Sequence, residues 1–177
     1  NGLGALYLRG DALPRDFQRA FRLFSSAAEK DFAAAQTNLA LMYDNGWGVR
    51  ENPALAARWY YRAALNGNVE GQAAIGIMLT MGRGVEKDLS AAHEWLRTAA
   101  LRASAKAQAH LGHLYRAGDG VDRDYVQAYA WYGLAAAGGY DMAPELRDTV
   151  AAYLGATELR EAQALARRLY RQMNPGS

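Results

Sequence analysis

Cysteine is absent from the 177 residues. That removes disulfide frameworks, thiolate nucleophiles and cysteine-ligated zinc, and leaves the redox compartment open. Neither charge dominates: 20 basic side chains face 18 acidic ones, for a formal charge of +2. A dedicated nucleic-acid binder carries a concentrated basic surplus, so no nucleic-acid partner is expected. Long apolar runs are missing as well. The strongest, residues 73–79, is closed by Thr80 and Gly82 and is far shorter than the ~18 residues that span a bilayer, so no transmembrane segment is expected. There is no N-x-S/T sequon. No signal-peptide pattern is visible, and the chain opens on Asn1 instead of Met, which points to a processed or trimmed start.

What is abundant is small. Hydrophobic residues make up 51%, yet mean hydropathy is −0.27, because 37 residues are alanine. These alanines recur with a period of 36. Gly10, Gly46, Gly82 and Gly118 are 36 apart, as are Gly48, Gly84 and Gly120, and Val49, Val85 and Val121. Leu3, Leu39, Ile75 and Leu111 align, each followed by Gly4, Ala40, Gly76 or Gly112. So do Ala20, Ala56, Ala92 and Ala128, and Leu23, Trp59, Trp95 and Trp131. The units are residues 1–36, incomplete at its start, 37–72, 73–108 and 109–140, with 141–177 as a C-terminal tail.

Each copy reads helix, glycine turn, helix. In the second, Leu39, Met42 and Tyr43 share one helical face over Ala33 to Asp44. Gly46 and Gly48 close that helix. Asn52 is the expected N-cap and Pro53 the first residue of the next helix, with Asp16, Asp88 and Asp124 as the caps elsewhere. A single helix pair cannot bury both its faces, so neighbouring copies must cover them. The alanines allow close approach, and the recurring Trp and Tyr are expected to fill the remaining space. In the tail, Pro144 should start a short helix to about Leu154. Gly155 breaks it, and Thr157 should cap a last helix to about Gln172. Ala162, Leu165, Ala166 and Leu169 give that helix one apolar stripe; Arg160, Glu161, Arg167, Arg168 and Arg171 read as the solvated face of a terminal cap.

The fourth copy supplies Leu111, Gly112, Tyr115, Gly118, Gly120, Val121, Asp124, Ala128, Trp131, Tyr132, Ala135 and Ala136 in order. On these residues the chain resembles the Sel-one-like repeat family, a relative of the tetratricopeptide repeat with a slightly longer unit. The first copy departs most: Ala12 and Leu13 replace the second glycine and the valine, and Leu23 replaces the tryptophan. The resemblance implies an all-α, right-handed α-solenoid of four repeats plus C-terminal capping helices. It also implies adaptor or scaffold work in signalling, secretion or envelope assembly.

By the same resemblance, the first helix of each pair lines a concave groove. The candidate partner-binding residues there are Thr37, Asn38, Leu41, Asp44, Glu70, Ile77, Thr80, Met81, Lys106, His110, His113 and Arg116. Leu41, Ile77 and Met81 form an apolar strip. Asp44 is acidic, and Lys106 and Arg116 are basic. Such a surface suits a peptide or helix with an apolar anchor and a few charges.

Catalytic residues, cofactors and metals are not expected. His110 and His113 stand three apart, a metal-compatible spacing, but Lys106 and Arg116 flank them and no HExxH pattern accompanies them. His93, beside Trp95, reads as a packing or edge residue. The Gly-x-Gly-Val turns lack the P-loop lysine. Asp119 and Asp122 in GDGVDRD lack the late glutamate of a calcium loop.

The expected function is therefore a non-enzymatic adaptor for a protein or peptide partner. One alternative is a cell-wall or β-lactam hydrolase, associated with the cysteine-rich branch of the family; that branch staples its repeats with disulfides this chain does not have. The other is a scaffold that self-associates through an open N-terminal end. Arginine outnumbers lysine 17 to 3, the bias of a GC-rich and bacterial coding genome. Bacterial members of the family are often exported, so the periplasm is favoured slightly over the cytoplasm.

Overall fold

The computed structural model describes residues 2–10 and 13–175. Among these it holds ten α-helices and no strand, the all-α repeat architecture expected from the sequence. The chain forms two compact units, residues 1–87 and 88–177. The first contains α1 (Gly2–Arg9), α2 (Phe17–Ala28), α3 (Ala33–Asn45), α4 (Pro53–Leu65) and α5 (Val69–Met81). The second contains α6 (Leu89–Ala100), α7 (Ala105–Ala117), α8 (Tyr125–Ala137), α9 (Ala143–Ala151) and α10 (Ala156–Met173). In the first unit each helix packs on the next. In the second, α6 to α9 do the same and α10 returns to α8.

The helix boundaries follow from local chemistry. Gly46, Gly82 and Gly118 close α3, α5 and α7 in the left-handed conformation, at φ of 68°, 68° and 79°. The chain then turns back, and the N–H of Asn52 donates to Tyr43 O at 2.8 Å and that of Asp124 to Tyr115 O at 2.9 Å. Each cap residue next accepts with its side chain. Asp16, Asn52, Asp88 and Asp124 take the backbone N–H of Arg19, Leu55, Ala91 and Gln127 at 2.9–3.0 Å. The second glycine of the turn serves a different need. A Cβ at Gly48 would lie 2.6 Å from Phe17 O, and one at Gly120 2.7 Å from Leu89 O; Gly84 meets Pro53 in the same way. Each turn thus sits directly on the start of the preceding copy's second helix. Ala12, which replaces this glycine in the first copy, lies outside the described residues.

The core corrects one expectation for Trp and not for Tyr. The Trp column does not fill the seam as a set: Leu23, Trp59 and Trp95 are half-buried, and only Trp131 is buried. The next residue along does so instead. Phe24, Tyr60, Leu96 and Tyr132 are at most 5% exposed. One residue turns the side chain by about 100° around the helix. That turn aims Phe24 at Gly4 and Tyr132 at Gly112, where an added Cβ would come within 2.8 Å and 3.0 Å of the rings. In these two copies the glycine that follows the aligned Leu makes room for the large ring.

A third column is polar. Gln36, Gln72 and Gln108 are buried, and each Nε2 donates to a carbonyl at the end of the preceding helix: Ala28 O at 3.2 Å, Ala64 O at 3.3 Å and Ala100 O at 3.0 Å. The last four carbonyls of a helix have no partner within it, so these amides complete helix ends inside the core.

The tail differs slightly from expectation. Helix α9 stops at Ala151, and Gly155, not Thr157, is the N-cap of α10. Glu158 decides this by accepting the Gly155 N–H at 2.8 Å. Thr157 instead accepts from Arg160 at 3.2 Å. Ala162 is wholly buried, while Leu165, Ala166 and Leu169 are half-buried.

Two comparisons within the second unit test this packing. Gly139 has φ +82° and nothing within 4 Å of where a Cβ would stand, whereas Gly120 has φ +74° and backbone in the way. Gly139→Ala should cost about 1–2 kcal/mol from backbone conformation alone. Gly120→Ala should cost a further ~1–3 kcal/mol from overlap. Urea denaturation should separate the two, and equal losses would mean the copy-to-copy contact is loose. By the same measurement Leu96→Ala should cost about 2–5 kcal/mol and the larger Trp95→Ala less, the reverse of their sizes.

Candidate functional site

In the first unit the candidate face is carried by α3 and α5. The two helices are tied at both ends. At one end, the Thr37 hydroxyl lies 3.1 Å from Ala33 O and 3.0 Å from Asn68 Oδ1, and Asn68 is itself the N-cap of α5. At the other, Arg83 leaves the turn after α5 and reaches α3. Its Nη1 lies 2.8 Å from Asp44 Oδ1, and its Nη2 donates to Asp44 O at 3.2 Å and Glu51 Oε1 at 3.3 Å. Thr37 and Asp44 are therefore occupied in holding the face together, and Asn38 has a partner of its own. Between the ties, Leu41, Ile77 and Thr80 are half-buried, and Thr80 donates to Gly76 O at 2.9 Å. Glu70 and Met81 project into solvent, Met81 with 59% of its surface exposed. Tyr60 lies close enough to feel this acidic rim. Burial pushes its phenol pKa well up, and Asp44 and Glu70 push it further, so Tyr60 stays neutral.

In the second unit the corresponding residues all lie on α7 and make a different surface. Lys106 and His113 are exposed, while His110 and Arg116 are half-buried. Arg116 Nη2 lies 3.4 Å from His113 Nδ1. Deeper in, Tyr132 is wholly buried beside the Arg116 guanidinium. Burial raises the phenol pKa and the arginine opposes it. Burial, Lys106 and His113 together hold the His110 pKa down to about 4. Among the described residues no cluster of three His, Asp or Glu forms around these histidines or elsewhere.

His93 packs edge-on against Tyr115, with ring centroids 5.5 Å apart. Its Nε2 is 3.1 Å from the Tyr115 hydroxyl and its Nδ1 3.3 Å from Glu94 Oε1. A carboxylate, an imidazole and a hydroxyl thus stand in a line. Burial raises the phenol pKa, however, so the geometry holds a proton on Tyr115 instead of activating it.

The sequence reading passed over Arg83 and Glu51, which fix the acidic end of the face. It also passed over the glutamine column, whose signal was available: Gln36, Gln72 and Gln108 are 36 apart.

Four consecutive Sel1 repeats match the chain, over residues 1–32, 33–68, 69–104 and 105–140. The chain belongs to the Sel1 repeat family. A crystal structure of a Sel1 repeat protein from Oxalobacter formigenes is similar over 99% of this chain and 71% of that one, with 30% identity and a TM-score of 0.78. A protective antigen present in uropathogenic Escherichia coli strains, described as displaying an SLR fold, is similar over 98% of this chain, with 28% identity and a TM-score of 0.58; this chain spans 45% of its length. Both neighbours are bacterial. Sel1 repeat proteins generally mediate protein–protein interaction and are typically non-enzymatic.

His110 yields a testable pH effect. Its folded pKa of about 4 lies below the ordinary 6.5. Below pH 6.5 the unfolded chain therefore binds the proton more readily, and stability is lost as pH falls from 6.5 toward 4. His110→Gln should flatten the fall of Tm across that window relative to the parent. Parallel curves for the two proteins would show that His110 titrates normally.

Proposed function

We propose that this Sel1 repeat chain is a non-enzymatic adaptor that holds a protein or peptide partner on the exposed face of its repeat-opening helices. One observation carries the reading. Columns that build the fold repeat in kind from copy to copy, while the neighbouring surface columns do not. Leu41, Ile77 and His113 are 36 apart, as are Asp44, Thr80 and Arg116. The repeat therefore does not fix the residue type at these positions, and Leu41, Ile77 and His113 are left to another demand. In the first unit they offer an apolar strip of Leu41, Ile77 and Met81 beside Glu70. That strip suits a helix or extended peptide with an apolar anchor and a basic flank. The partner would act in signalling, secretion or envelope assembly.

The test is affinity capture from native lysate with the parent chain and with Leu41→Glu combined with Ile77→Glu as baits. The two baits should have matching circular dichroism spectra. A protein retained by the parent and lost by the double variant is the expected result. Equal retention by both would remove α3 and α5 from the binding site.

A further inference from the structure

Helices α8, α9 and α10 border an open surface cavity of about 560 Å³, away from the α7 residues considered above. Its apolar lining includes Leu134, which is only 6% exposed, and Gly133. Tyr129 and Tyr170 stand at its sides. Arg147, Arg167 and Arg171 contribute its charge, and among the described residues no carboxylate lines it. Asp148 accepts from Arg147 Nε and Nη2 at 2.9 Å and 2.8 Å, so that cation is partly neutralised. Arg167 and Arg171 are exposed, and among the described residues neither side chain has a hydrogen bond or ion pair.

Gly133 stands at a position where every other copy has a side chain. The preceding copies carry Ser25, Tyr61 and Arg97 at this position. A glycine inside a helix is destabilising relative to alanine. Nothing in the packing demands it here: a Cβ would meet only Arg147 Cδ, at an ordinary 3.9 Å. The absent side chain is what keeps the cavity open.

We propose that this cavity is a second docking site, for an acidic peptide segment with one apolar or aromatic side chain. The apolar side chain enters between Tyr129 and Tyr170 onto Gly133 and Leu134. Flanking carboxylates pair with Arg167 and Arg171, whose planar guanidinium groups suit bidentate recognition. An anionic membrane surface would be served by the arginines on α10 without a concavity and without the glycine. Charge complementarity together with the opened cavity therefore selects the peptide.

The probe is a fluorescein-labelled EEFEE peptide, with KKFKK and EEGEE as controls, read by anisotropy on the whole chain. EEFEE should bind, weaken as salt rises from about 0.05 to about 0.5 M, and exceed both controls. Gly133→Leu should fill the cavity, and Arg167→Glu with Arg171→Glu should reverse its charge. Each should weaken binding at least about tenfold while Tm stays within a few degrees of the parent. The proposal is overturned if EEFEE fails to bind at low salt, or if Gly133→Leu binds it as well as the parent. It is also overturned if phosphatidylglycerol vesicles bind the chain and its Gly133→Leu variant equally while EEFEE does not bind.

Discussion

The spacing of the copies rests on a contact that admits no side chain. The second glycine of each turn lies on the first residue of the preceding copy's second helix, Gly48 on Phe17, Gly84 on Pro53 and Gly120 on Leu89. Two requirements coincide there: a left-handed backbone, which glycine adopts without penalty, and backbone-to-backbone approach that a methyl group would prevent. The rest follows from that closeness. Once a turn touches the previous helix, the helices behind it must also sit close. Alanine and glycine then become obligatory on one side and a large side chain on the other, as Gly4 against Phe24 and Gly112 against Tyr132. A fold built this way is specified by residues that are absent as much as by those present.

Close packing creates a polar problem that the chain solves with one residue type. Bringing a new helix against the end of the last one shuts water away from carbonyls that have no intrahelical partner. Each unsatisfied carbonyl would cost about 1–3 kcal/mol. Gln36, Gln72 and Gln108 supply the missing donors to Ala28, Ala64 and Ala100. The loop beside them needs a left-handed residue as well, and the four copies place Asp31, Gly67, Ala103 and Gly139 there. Asp31 gains from its position: its Oδ1 accepts from Gln36 Nε2 at 3.0 Å and Arg62 Nη2 at 2.8 Å. Ala103 has no polar side chain with which to compensate.

Much of this was legible because the period of 36 lets each position be read four times. The caps at Asp16, Asn52, Asp88 and Asp124 and the closing glycines at Gly46, Gly82 and Gly118 are local signals, and local signals survive without tertiary information. The Trp column misled because size and periodicity do not report helix phase. Trp95 and Leu96 are neighbours in sequence, and only the facing helix decides which of them is buried. The site was less legible still. The sequence marked Leu41, Ile77 and Met81 as an apolar strip, but not that Asp44 would be held by Arg83, a residue in a turn 39 positions away. The α8–α10 cavity was hidden because repeat reading looks for agreement, and its marker, Gly133, is a departure.

That departure belongs to the end of the array. Pro144 stands where Gln36, Gln72 and Gln108 stand in the earlier copies. A proline has no amide to send to the preceding helix, so the link that begins each further copy is missing. Helix α9 is accordingly short, and α10 folds back on α8 instead of starting a new pair. A helix that returns this way no longer obeys the repeat's small-against-large matching, and it meets α8 where a glycine has removed a side chain. Space remains between them for the same reason that space is absent elsewhere. In the repeats, glycine lets two protein segments touch, and nothing else can enter. At Gly133 no described segment takes up the room, and the cationic side chains of α9 and α10 border it. The same residue type thus closes the array along its length and opens it at its end.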